Sequence, residues 1–147
     1  MQKQYTLTIK APIEKSFATA TEKPSMEHWM QGDIFTHFKT LRDSDSPVGT
    51  KFKHIIRGFF DIEGEVIAYQ NPLVFGIGLQ AGPLKGTIMY RFEELENTET
   101  KLTCDLEILD GTKARRIASK TFFPIIHKLI TKHLESLKQL AEEQQDG

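Results

Sequence analysis

The chain has 147 residues, a formal net charge of −1, 39% hydrophobic and 27% charged residues, which is the size and balance of one globular domain rather than of a disordered segment. The near-neutral charge excludes nucleic acid as the expected partner, and the single cysteine, Cys104, excludes an intrachain disulfide and any Cys-rich metal site. No apolar run approaches the roughly 18 residues of a membrane span, and "MQKQYTLTIK" lacks the apolar centre of a signal peptide, so a cytoplasmic protein without stable membrane insertion is expected.

The first element is a strand over 4–10, where Tyr5, Leu7 and Ile9 alternate with Thr6, Thr8 and Lys10. Ala-Pro-Ile-Glu then breaks the alternation. Pro12 suits the first turn of a helix, where its missing N–H costs nothing, and Ile13, Phe17 and Ala20 follow at helical spacing. A second short helix is expected in "TEKPSMEHWM", with Met26, Trp29 and Met30 as its apolar face.

From Ile34 the period changes to two. Strands are expected at 34–42, 50–57, 59–69, 73–80, 86–95 and 101–109, joined by short turn-forming links that suit antiparallel hairpins. "GIGLQAGPLKG" is glycine-rich, but strand-like sequence follows it, so it fits a twisted strand and a longer connection over 80–86 better than a phosphate loop. Ile88, Tyr90 and Phe92 share one face; so do Leu102, Cys104, Leu106 and Ile108, with Arg91, Glu93, Asp105 and Glu107 opposite. One apolar and one wet face mark a sheet covered on one side only. Ile67, Tyr69 and Leu109 fall on the wet side and offer a partner surface or a homodimer contact.

A long helix closes the chain. Phe122 or Phe123, Ile126, Leu129 or Ile130, His133, Leu137 and Leu140 follow the i, i+3, i+4 pattern, and Pro124 either kinks it or opens its main part, with Ser119 or Thr121 near the cap. This helix is the only element large enough to cover the sheet, so an α+β fold is expected, with space between the helix and a strongly curved sheet.

Several stretches resemble the START/Bet v 1-like (SRPBCC) superfamily, in its bacterial polyketide cyclase/dehydrase-like and lipid-transport-like branch. They are "IKAPIEKSFATATEKPSMEHWM", "PVGTKF", "GEVIAYQNPLVFGIGLQAG", "YRFEELENTETKLT" and "HLESLKQLAEE", in that order along almost the whole chain. The resemblance implies a single helix-grip domain over 1–147. A curved seven-stranded antiparallel sheet would grip the C-terminal helix around an apolar cavity, with two short helices after the first strand. It implies binding of a lipid, polyketide or isoprenoid-like molecule, or cyclase or dehydratase chemistry, or partner binding, and it carries no shared catalytic set and no cofactor.

In that arrangement the candidate cavity residues are Trp29, Phe52, His54, Ile56, Phe75, Tyr90, Phe92, Cys104, Leu106, Phe123, His127 and Ile130. His54 shares a face with Phe52 and Ile56. It either orients a ligand carbonyl or moves a proton, as the weak catalytic candidate, or it is a satisfied core histidine. Tyr90 either orients a ligand oxygen or packs in the core. Trp29 gates or plugs one end. Cys104 reads as an inert buried thiol. His127 is placed to line the cavity one turn beyond Phe123, whereas His133 is expected near the rim or in solvent. The two do not share a face, and no third ligand lies at helical spacing, so no metal site is expected. "KARR", Lys113 to Arg116, suits either a solvated helix start or attraction to an anionic membrane surface or ligand.

Overall fold

The computed structural model describes residues 2–30, 36–42, 47–56, 61–109 and 112–143. Its elements are β1 (Gln2–Ile9), α1 (Ile13–Thr21), α2 (Lys23–Met30), β2 (Thr36–Arg42), β3 (Lys51–Ile56), β4 (Ile62–Gln70), β5 (Val74–Ala81), β6 (Leu84–Glu94), β7 (Thr100–Ile108) and α3 (Lys113–Glu143). The sheet order is β1-β7-β6-β5-β4-β3-β2, antiparallel throughout. Strands β2 to β7 therefore follow one another as a meander, and β1 closes against the last strand. The architecture is the expected α+β helix-grip arrangement. The expected starts of the strands at 34 and 59 lie outside the described residues.

The break after β1 has a physical cause. Thr100 Oγ1 donates to the Ala11 carbonyl at 2.7 Å, and Ser16 Oγ reaches Thr100 Oγ1 at 3.3 Å; both side chains are buried. This knot satisfies backbone that Pro12 removes from strand pairing and holds the start of α1 against the start of β7. Pro12 is the residue before the helix, not its first turn, with φ −61° and ψ 156°. Phe17 then reaches the core, edge-on to Tyr69 at 5.2 Å and to Phe92 at 5.3 Å.

Three expectations are corrected. Tyr69 is not on the wet face: the register shifts between Val66 and Ala68, so the extra residue reverses the alternation and turns Tyr69 toward Phe17. Ile67 and Leu109 do stand exposed. The link from β5 to β6 is no long connection but a two-residue turn, Ala81 pairing with Leu84, in which Gly82 takes the positive φ (57°) that a II′-like hairpin needs before the proline. And α3 starts at Lys113, so Ser119 and Thr121 lie within the helix, Thr121 Oγ1 bonding back to the Ile117 carbonyl. The sequence of the first two turns of α3, "KARRIASK", has no i, i+3, i+4 pattern of large apolar residues, so periodicity does not mark where the helix starts.

The far end of α3 is tied to β1. Lys138 Nζ donates to the Thr8 carbonyl at 2.9 Å and to Glu142, whose carboxylate also accepts the Lys10 N–H at 3.1 Å. On the convex face Arg91 pairs with Asp105, which also accepts from Gln4 at 2.8 Å.

Candidate functional site

Burial alternates along β3, β6 and β7 and along the first half of β4. Phe52 and His54 on β3, Ile62, Gly64 and Val66 on β4, Ile77 and Ala81 on β5, Ile88 and Tyr90 on β6, and Leu106 and Ile108 on β7 all point to the concave side. Gly64 is there for a spatial reason: a Cβ at that position would run into the Phe52 ring. Facing these strands, α3 presents Ile126, Leu129, Ile130 and His133.

Between the two surfaces lies a cavity of about 70 Å³. Its wall is mostly apolar, aliphatic side chains with the Phe52 ring; the polar side chains that reach it are His54, Tyr90 and His133, with Lys85 at its edge. The volume is a fraction of the roughly 300–1,000 Å³ of pockets that take drug-sized ligands. Half-buried Ile126 and Leu129 on α3 and Leu79 on β5 are the side chains whose movement would enlarge it.

The polar side of the cavity is an aromatic stack. His54 and His133 lie face to face, with ring centroids 4.9 Å apart and planes at 11°. Trp29 stands edge-on to His133 and to Tyr90, at 5.9 Å from each, and Tyr90 stacks on Phe75 at 5.8 Å. Trp29 is completely buried and its Nε1 donates to the Ala20 carbonyl at 3.3 Å. It thus fills the space among α1, α2, β6 and α3 as a plug.

Burial pushes the Tyr90 phenol well above its ordinary 10.0, and the neighbouring Cys104 adds to the rise. Tyr90 therefore keeps its proton near neutral pH and can donate a hydrogen bond to a ligand but cannot serve as a phenolate base. Burial also pushes the Cys104 thiol up to about 12, with the Asp105 charge adding to it. A thiol held protonated is a poor nucleophile, in keeping with an inert buried cysteine.

Of the twelve candidate residues, Phe52, His54, Tyr90, Leu106 and Ile130 line this cavity. Trp29, Phe75, Phe92 and Cys104 are buried in the adjoining core. The side chain of Ile56 lies outside the described residues. Phe123 and His127 sit elsewhere on α3, their rings 5.8 Å apart, and the Tyr5 hydroxyl is 2.8 Å from His127 Nδ1. His127 therefore meets the Tyr5 side chain in the middle of β1 and does not line the cavity beside His54.

His133 is the main correction. Expected near the rim or in solvent, it is buried and stacked on His54. Its position carried the signal: four residues before Leu137 and three after Ile130, it continues the buried stripe of α3. Among the described residues no group of three His, Cys, Asp or Glu is placed to share a metal ion.

No family model and no curated protein matches the chain. Solved structures do share its fold. The Zhui aromatase/cyclase from Streptomyces sp. R1128 superposes with a TM-score of 0.74 at 12% identity, over 98% of this chain and 94% of that one. The di-domain aromatase/cyclase StfQ of the steffimycin biosynthetic pathway gives 0.66 at 18% identity, over 98% of this chain and 46% of that one. An HSP90 activator from Plasmodium falciparum gives 0.56 at 19% identity, over 76% of each chain. At these identities the likeness is one of fold.

Proposed function

We propose that this chain binds a small hydrophobic molecule between its sheet and α3, with the polar end of the ligand toward His54 and His133. The observation that carries this reading is the stacked imidazole pair on one wall of a cavity whose other walls are mostly apolar. Apolar walls supply area-dependent affinity, and a few convergent polar groups fix orientation. The two imidazoles and the Tyr90 hydroxyl suit a ligand with one carbonyl, enol or hydroxyl oxygen on an otherwise apolar body. A lipid or polyketide would exceed the present cavity, so its binding requires Ile126 and Leu129 to swing aside or α3 to lift. The comparison with two aromatase/cyclases supports this class of ligand by analogy of fold. The reading goes with a cytoplasmic bacterial protein of one domain.

The same cavity histidines favour a second reading, a cyclase- or dehydratase-type reaction, since an imidazole that lines the cavity can exchange a proton with a bound ligand. Titration with an apolar fluorophore separates binding from its absence. His54→Leu keeps the wall apolar and removes one polar partner. Binding of oxygen-bearing ligands should weaken about tenfold in this variant while the bare hydrocarbon analogue binds unchanged. Equal loss for both would discard the role of the imidazole. Turnover of a polyketide-like substrate panel, abolished in His54→Leu, would favour the enzyme.

A further inference from the structure

The charges of the chain are unevenly placed. Between residues 112 and 134 there are six Lys or Arg and no Asp or Glu, although acids slightly outnumber bases overall. This segment is the N-terminal two-thirds of α3. Its inner face carries Ile126, Ile130 and His133 toward the sheet. Its outer face is solvent-exposed and carries Lys113, Lys120 and Lys128 beside two isoleucines, Ile117 at 58% and Ile125 at 40% exposure. At 100° per residue Ile117 and Lys128 lie about 20° apart, with Lys113 and Lys120 flanking them on one side and Ile125 on the other, about 80° from Ile117.

We infer that this outer face of α3 docks on an anionic lipid surface. Lysines are attracted to the negative headgroups, and their stems allow the ammonium groups to stay at headgroup level while the isoleucines enter the acyl boundary. Isoleucines amid the cations are what set a membrane apart from a nucleic acid or an acidic peptide, which the lysines alone would serve. No helix among the described residues is long and apolar enough to cross a membrane, so the protein lies on the surface. The inference stands independently of any cavity ligand. If both hold, one helix thickness of about 10 Å separates the lipid from the cavity wall.

The test is co-sedimentation of the full chain with vesicles of phosphatidylcholine, with and without phosphatidylglycerol, at low and high salt. Binding is expected only to the anionic vesicles and only at low salt. Lys120→Gln and Lys128→Gln should each lower partitioning about fivefold. Ile117→Ser with Ile125→Ser should lower it about tenfold at unchanged charge, with the melting curve of the wild type retained because both side chains are exposed. Failure to bind anionic vesicles at low salt overturns the inference. So does vesicle binding that the isoleucine pair does not affect, or duplex DNA or polyglutamate binding as tightly as the vesicles, because the face would then be a general polyanion site.

Discussion

The imidazoles of His54 and His133 stack at 4.9 Å, joining the middle of β3 to a point about two-thirds of the way along α3. They form a ring-to-ring contact between that strand and the helix that covers it. A thermodynamic cycle over His54→Ala, His133→Ala and the double variant, measured by urea unfolding, should give a coupling of about 0.5–1.5 kcal/mol. Strictly additive losses would mean that the rings are neighbours without mutual stabilisation.

Trp29 is the next ring in that stack and has no exposed surface. Trp29→Ala should cost about 3–5 kcal/mol, and Trp29→Phe clearly less, because phenylalanine keeps contact with Tyr90 and His133 but loses the bond to the Ala20 carbonyl. Similar losses for both variants would locate the stabilisation in the indole N–H rather than in packing.

Cys104 reports on opening of the sheet. Buried and held protonated up to about pH 12, its thiol should resist a thiol-specific reagent in the folded protein at mildly alkaline pH and react fully in denaturant. Labelling in the native state should then follow the free energy of opening. Fast stoichiometric labelling of the folded chain would contradict the burial described for β7.

Glu142 links stability to acid. Burial alone would raise its carboxyl, but the hydrogen bonds from Lys138 and from the Lys10 N–H, with the charges of both lysines, hold it below the ordinary 4.5. A carboxyl lowered by folding stabilises above its unfolded value, and that contribution is lost as pH falls through the folded value. Glu142→Gln should therefore cost about 0.5 kcal/mol at neutral pH, as solvent-screened pairs do, and nothing well below pH 4.5. Thermal unfolding of both proteins across that range checks the convergence.

Much of the fold could be read in advance because particular residues permit few alternatives. Pro12 cannot continue strand pairing, and the alternation of Ile88-Tyr90-Phe92 and Leu102-Cys104-Leu106 fits one buried face. Other features depended on what alternation does not encode. The bulge at Ile67 reverses parity within one strand, so Tyr69 turns inward. The first turns of α3, "KARRIASK", carry no large apolar residues at i, i+3, i+4 spacing, so no stripe marks their start in the sequence. The stripe through Ile130, His133 and Leu137 is legible in the sequence, whereas the burial of a polar ring on it depends on the His54 ring it stacks against, which lies on a distant strand. Cavity size depends on how rotamers from five strands and a helix meet, which no single stretch of sequence contains.

The most direct test of the cavity as a binding site uses Ala81, which lines it and is buried. Ala81→Leu would place three more carbons in a space of about 70 Å³. Calorimetric titration of a short-chain aliphatic ketone into the wild type and this variant reads the cavity itself. Saturable one-to-one binding to the wild type, lost in a folded Ala81→Leu, is the expected result. No saturable binding to the wild type, or equal binding to both, would contradict it.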